Sequence, residues 1–385
     1  MAIYLDDTQR NAIATLAKSL TWRTQWPTWI LIVAIYGGWF GLALHARELG
    51  VPLATALLAG FSAWYMSLQH ELLHGHPTRW PRLNALLGFA PLAVWFPYRV
   101  YRESHLQHHD DAHLTEPGRD PESYFVDSET WERAGWAMRA LLNFRNTLVG
   151  RLLVGPAFAI AATAAEALRK IRRGDRRDVP AWLAHFAALA VLIAWLQYVC
   201  SIPAWTFVVG VGYGSLSLGS LRSFREHRAA HDCGHRTVIN EAGLFWRLLY
   251  LNNNFHLVHH DLPHLPWFGL RTVYEASREQ YIERSGEFLV AGYSEWVRRY
   301  ALAAAENAVH DKLADLQRPR MEGSRGSRDG VDAVRRGDSR THRSLPAAYR
   351  QHELPEPTVN VVSTSEPAPS PARDWPRCAP AARSP

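Results

Sequence analysis

The sequence predicts an all-α integral membrane protein: four transmembrane helices arranged as two hairpins, with a cytoplasmic helical cap that carries clustered histidines. Three observations predict it. Four uncharged, mainly apolar runs each approach the ~20 residues that a bilayer crossing needs. The runs pair through short links. Their cations gather at one side only.

Thr28–Ala46 is the first run, broken only by Gly37, Gly38 and His45. Val51–Gln69 is the second, and it ends directly at His70. The link His45–Gly50 makes them one hairpin. Ala181–Cys200 and Ala204–Leu221 form another, turning at Ser201, Ile202 and Pro203. Two buried helix pairs in a soluble protein would be the bland alternative. These runs are apolar all round, whereas a soluble helix shows a stripe.

Cations set the orientation. Arg10, Lys18 and Arg23 precede the first run, and Arg79 and Arg82 follow the second. Arg169, Lys170, Arg172, Arg173, Arg176 and Arg177 precede the third, and Arg222, Arg225 and Arg228 follow the fourth. The opposite loops hold only Arg47, so both termini are expected in the cytoplasm, in a bacterial inner membrane. Two weaker stretches, Leu83–Phe96 and Leu152–Ala167, are read as interfacial or partly inserted helices, the second bent by Pro156. Parity requires this. A single crossing at 152–167 would put the later histidines on the opposite side from the earlier ones.

The flanking segments complete the layout. Residues 1–27 hold a short amphipathic helix whose stripe of Leu5, Ile13, Leu16 and Leu20 is expected to lie on the membrane. Residues 28–317 form the catalytic domain, in which 272–316 reads as a polar helical cap. Residues 318–385, rich in Arg, Ser, Pro, Gly and Ala, read as a disordered tail.

Composition narrows the functional classes. The chain has 385 residues, 48% of them hydrophobic, yet a mean hydropathy of -0.19, because apolar runs are averaged with the polar tail. A net charge of +6 could suit nucleic acid, but its placement beside the runs assigns it to a membrane face instead. Three scattered cysteines supply neither a disulfide framework nor the four ligands of an iron–sulfur cluster.

The histidines carry the chemistry. His70 and His74 stand at i and i+4. His105, His108 and His109 repeat a spacing of i, i+3, i+4, and so do His256, His259 and His260. On a helix these positions share a face, and neutral imidazoles from one face make half of a metal site. His227 follows the fourth run as His70 follows the second, with His231 as its rival. His76, His113, His235 and His264 lie beside boxes without ligand spacing, and His45 and His185 sit alone on apolar runs. Glu71, Glu103, Glu226 and Asp261 neighbour the boxes and could orient imidazoles. His70-Glu71-Leu72-Leu73-His74 also matches the HExxH pattern of zinc proteases, with Glu71 as base. That reading leaves six other clustered histidines unexplained. A metal transporter would place ligands near the bilayer midplane, and none lie there.

Taken in order, HxxxH, HxxHH, a lone histidine and HxxHH resemble the membrane-bound fatty acid desaturase superfamily. The stretch Asn254-Phe255-His256-Leu257-Val258-His259-His260-Asp261-Leu262-Pro263-His264-Leu265-Pro266-Trp267 resembles that family's last box most closely. The resemblance spans roughly Ala54–Trp267. It implies a non-haem di-iron centre, two Fe, held by His70, His74, His105, His108, His109, His227, His256, His259 and His260. It further implies O2 as co-substrate and electrons from an external ferredoxin- or cytochrome-type donor. The substrate would be a fatty acyl chain or another aliphatic molecule taken from the lipid bilayer. Desaturation is expected ahead of hydroxylation or ketolation. The HELLHGH and Asp120–Ser123 surroundings resemble the bacterial branch, which includes dihydrorhizobitoxine-type desaturases of non-lipid substrates. One departure stands out: where acyl-CoA desaturases carry an Asn that holds an iron-bound water, this chain has Ser223, so the resemblance implies either that Asn252 or Asn253 holds the water or that it is absent.

Overall fold

The computed structural model describes residues 2–109, 113–230 and 232–310. His231, Asp110 and the tail 318–385 therefore lie outside the described residues. What is described is mainly helical, with one two-residue strand pair, Ile239–Asn240 beside Leu289–Val290.

The first two runs fold as Trp26–Leu44 and Val51–Leu73. Each has proline in its first turn, where the missing N–H costs no hydrogen bond. They pack antiparallel: the Tyr36 and Tyr65 rings lie 5.8 Å apart, and Trp39 Nε1 donates to Ser62 Oγ at 2.9 Å. Gly38 permits the approach, because a Cβ there would stand 2.2 Å from the Phe61 ring. Fully buried Ile35, Trp39, Leu58, Leu68 and Phe207 form the centre of this core. Leu192 and Leu196 reach it from Val179–Tyr198. Arg47 Nε donates to Ser201 Oγ at 2.7 Å, so the two inter-helix turns lie together.

Among the described residues the long apolar helices match three of the four expected runs, Val179–Tyr198 standing for the one at 181–200, and Leu148–Arg172 was not in the expected set. Helices long and apolar enough to cross a membrane are Trp26–Leu44, Val51–Leu73, Leu148–Arg172 and Val179–Tyr198. The run expected at 204–221 is a shorter helix wound in two parts, π over Thr206–Tyr213 and α over Gly214–Arg222. The stretch at 152–167 belongs to a continuous helix of 25 residues that carries Pro156 inside it. Proline cannot donate to the carbonyl four residues back, here Leu152. Ser217 Oγ supplies that bond at 2.8 Å, and the Tyr213 hydroxyl donates to the next carbonyl, Leu153. A neighbouring helix thus repairs the break, which sequence alone does not reveal. The far end of this helix is tied by Lys170 Nζ to Asp178 at 2.8 Å, and Arg99 lies 3.9 Å from the same Asp178.

The stretch expected as a helix over 83–96 is helical only in Pro81–Leu87. Gly88, Pro91 and Pro97 prevent continuation, and the following loop tucks Val94 against Gly212, where a Cβ would sit 2.7 Å from it. His185 Nε2 lies 2.7 Å from the Val94 carbonyl, a buried structural contact, as its isolation suggested.

The amino-terminal helix, Asp7–Leu16, is capped by Asp6, whose carboxylate accepts from Gln9 N at 2.7 Å. Its Leu5, Ile13 and Leu16 pack on the cluster of Ile239, Phe255, Val258 and Tyr281, against the expectation that this stripe faces lipid. The cap is partly helical, in Trp267–Ala276, Arg278–Arg284 and Tyr293–Tyr300. After it the chain runs back beside Val126, whose N–H donates to Ala308 O at 2.9 Å.

Candidate metal centre

Every box sits where a helix ends. His70 lies in the last turn of Val51–Leu73, with His74 as its C-cap. His105 and His108 close Tyr98–His108, with His109 as C-cap. His256, His259 and His260 occupy the short helix His256–Asp261, and His227 pairs with Thr237 in an isolated antiparallel bridge.

The structure brings all nine named histidines together and divides them into two sets. His70, His74, His105, His109 and His259 form one, and His108, His227, His256 and His260 the other; within a set the ligand atoms lie within 4.8 Å of one another. Boxes were expected to act as half-sites, yet two of them are split. Helix geometry explains this. At about 100° per residue, i+4 lies about 40° to one side of i, and i+3 about 60° to the other. His105 and His109 therefore turn to the first set and His108 to the second. In the last box His256 and His260 turn to the second set and His259 to the first.

Nitrogen spacing fits a metal. His108 Nε2 to His227 Nε2 is 3.0 Å, and His227 Nε2 to His256 Nε2 is 3.1 Å. In the other set, His109 Nε2 stands 3.2 Å from His105 Nε2 and 3.1 Å from His259 Nε2. Two imidazoles bound at about 2.1 Å to one ion, at right to tetrahedral angles, place their nitrogens about 3.0–3.4 Å apart. His70 Nε2 and His74 Nε2 are buried without a hydrogen-bond partner, as ligand atoms waiting for an ion are. The His109 and His260 rings stack at 4.3 Å, so the two sets share a wall.

Electrostatics keep most of these rings in the ligating form. Burial, reinforced by neighbouring imidazoles, lowers the pKa of His74, His109, His227, His256 and His259 below the ordinary histidine value. His108 is the exception. Burial opposes its charge, but Glu122 and Asp120 outweigh that and lift it to about 9. His108 Nδ1 donates to Asp120 Oδ1 and His105 Nδ1 to Glu122 Oε1, both at 2.9 Å. A carboxylate only accepts, so Nδ1 carries a proton in both rings and Nε2 is the nitrogen left for a metal, which at His108 must displace a second proton to bind. His227 Nδ1 contacts Thr237 Oγ1 and His256 Nδ1 contacts Asn253 Oδ1, each at 3.2 Å.

Asp120 and Glu122 were not singled out as orienting groups in the sequence. Their loop is stiffened by the same carboxylate: Asp120 accepts from Thr115 N and Glu122 N, both at 2.8 Å. Of the acids that were singled out, Glu226 lies 3.8 Å from His256 Nδ1, while Asp261 pairs with Arg284 at 2.6 Å. Glu71 accepts from the Trp267 N–H at 3.1 Å. Glu103 pairs with Arg99 at the surface and orients no histidine. Asn252 Nδ2 donates to the Trp267 carbonyl at 3.0 Å, and Asn253 Oδ1 serves His256. His76, His113, His235 and His264 join neither set.

Three more imidazoles join the His70–His74 pair to make five, more than the three protein ligands of a zinc protease, and Glu71 points to the backbone amide of Trp267. Long apolar helices that end at two adjoining, buried imidazole sets define a multi-pass membrane protein with a metal-binding centre. Comparison with protein families takes this further. The fatty acid desaturase family matches residues 47–289, and the chain belongs to that family. Among curated proteins nothing matches. Membership makes the protein an oxidoreductase with desaturase- or hydroxylase-type activity.

Proposed function

We propose that the protein is a membrane-bound, O2-dependent di-iron desaturase that introduces a C=C bond into a fatty acyl chain or a related aliphatic substrate. The observation that carries this reading is the division of nine imidazoles into adjoining sets of five and four, each able to hold one ion. His70, His74, His105, His109 and His259 would hold one iron, and His108, His227, His256 and His260 the other. Once bound, the irons supply the oxidising power, drawn from O2 and two electrons, that breaks an unactivated C–H bond beyond the reach of any side chain. The chain's own contribution is positional. Asp120, Glu122, Thr237 and Asn253 fix ring orientation, and burial keeps the imidazoles other than His108 neutral.

In this reading the crossing helices are Trp26–Leu44, Val51–Leu73, Val179–Tyr198 and the composite Thr206–Arg222. His108 and His227 meet, so the chain between them crosses an even number of times. Ser201 lies with Arg47, on the side away from His70, and the tie of Asp178 to Lys170 and Arg99 returns Leu148–Arg172 to the histidine side. That side is the cytoplasm of a bacterial inner membrane by the arginine asymmetry. An external ferredoxin- or cytochrome-type donor supplies electrons there. Residues 1–27, 28–317 and 318–385 stand as amino-terminal segment, catalytic domain and tail.

Metal analysis of the detergent-purified protein tests the reading. It should find two irons per chain, and reduction in the presence of O2 and an aliphatic substrate should yield an alkene. One zinc per chain with retained turnover would overturn it, and an alcohol or ketone product would move the assignment to the family's hydroxylases and ketolases.

A further inference from the structure

Behind the four-histidine set lies a group of buried arginines. Glu226 faces Arg222 at 3.4 Å, and Glu306 faces Arg225 at 3.2 Å. Arg145 and Arg151 have no carboxylate within ion-pair distance among the described residues. Both are nine-tenths buried, with 9% and 8% exposure. Arg145 donates from Nη2 to the Tyr124 carbonyl and lies 4.7 Å over the Phe158 ring, yet its Nε has no partner. Arg151 stacks 4.0 Å over the Tyr124 ring, and neither its Nε nor its Nη2 is hydrogen-bonded.

Two desolvated guanidiniums sharing one tyrosine are costly when no carboxylate reaches their donors, and Glu306 and Glu226 act on Arg151 only from beyond ion-pair distance. Burial and their mutual repulsion press on the charge of Arg145, and burial does so on Arg151. Phenylalanine and tyrosine faces soften this without satisfying the donors. The partnerless Nε and Nη2 of Arg151 form a fork that matches an oxyanion, a carboxylate or a phosphate ester, in bidentate geometry, and the Nε of Arg145 offers a third donor. Tyr124 ties the pair to the metal centre: its hydroxyl donates to the His227 carbonyl at 3.1 Å.

We propose that Arg145 and Arg151 bind the anionic headgroup of the substrate, behind Tyr124 and one aromatic ring from the four-histidine set. The inference rests on the desaturase reading and deepens it. A headgroup anchored so near the centre leaves only a short stretch of chain to reach it. The substrate is then an acid or phosphate ester oxidised close to its polar end, and carbons far along a long tail stay out of reach.

The test uses full-length protein in a non-ionic detergent, with laurate, methyl laurate and inorganic phosphate as probes, read by equilibrium dialysis or thermal midpoint. Laurate should bind about ten- to a hundredfold tighter than its ester, the loss expected for a charge-assisted bond. Arg151→Met and Arg145→Met should each erase that preference, and Arg151→Lys should restore part of it. Equal binding of acid and ester by wild type overturns the proposal, as does an undiminished preference in both methionine variants. Phosphate binding without laurate binding marks a site for a free anion and overturns the headgroup assignment. Iron measured on the same samples keeps the two readings apart: the acid preference can persist in a protein that binds no iron, and a two-iron protein can lack it.

Discussion

The two histidine sets reach their geometry by different means. The set of four is braced from outside: His108, His227 and His256 each rest their Nδ1 on a side-chain oxygen, of Asp120, Thr237 and Asn253. In the set of five, among the described residues, His105 has such a brace, through Glu122, and an extra imidazole adds to the count. One set is made by orientation and the other by number. Losing a ligand should therefore hurt the first more, and losing a brace should matter mainly there.

His108→Ala tests this most severely. It leaves three imidazoles, so its iron should be lost and turnover should fall by at least about a thousandfold, about 4 kcal/mol. His74→Ala leaves four and should keep most of its iron while slowing turnover. Equal metal loss in the two variants, measured on protein still integrated in the membrane, breaks the comparison. Asp120→Asn comes next, with a loss of about ten- to a hundredfold in metal affinity or turnover. Glu122→Gln should cost less, because His105 has four companions; a larger loss there would reverse the order.

Smaller effects are expected away from both sets. Ser217→Ala strands the Leu152 carbonyl and should lower stability by about 1–3 kcal/mol, seen as a lower thermal midpoint with iron content unchanged. His185→Ala removes one buried contact to Val94 and should cost about 1 kcal/mol of stability while turnover persists. Iron loss in either variant would show that the apolar helices and the metal centre are coupled more tightly than their contacts indicate.

That the nine histidines cluster was legible in the sequence because spacing on a helix is a local property. Which set each joins was not read there, although the rule is simple: i and i+4 stay together while i+3 departs. It becomes visible once His109 is known to meet His259 and His108 to meet His227. The braces were illegible for another reason. Asp120 reaches His108 through a loop folded by its own hydrogen bonds, and no periodicity announces a loop. The continuity of Leu148–Arg172 hides similarly, since a hydroxyl on a distant helix decides whether Pro156 breaks it. The amino-terminal stripe was correctly seen as apolar but its partner was not, because burial against Phe255 and against lipid ask for the same residues.

Splitting the boxes between sets has a consequence for biogenesis. His108 meets His227 across 119 residues, and His109 meets His259 across 150, so neither set exists until the last box has emerged and the helices between are in place. Long-range closure of this kind is slow and comes late. A chain inserted with one helix on the wrong side cannot assemble either set. Metal content therefore reads out correct insertion, and a cell that discards metal-free copies discards the misthreaded ones with them.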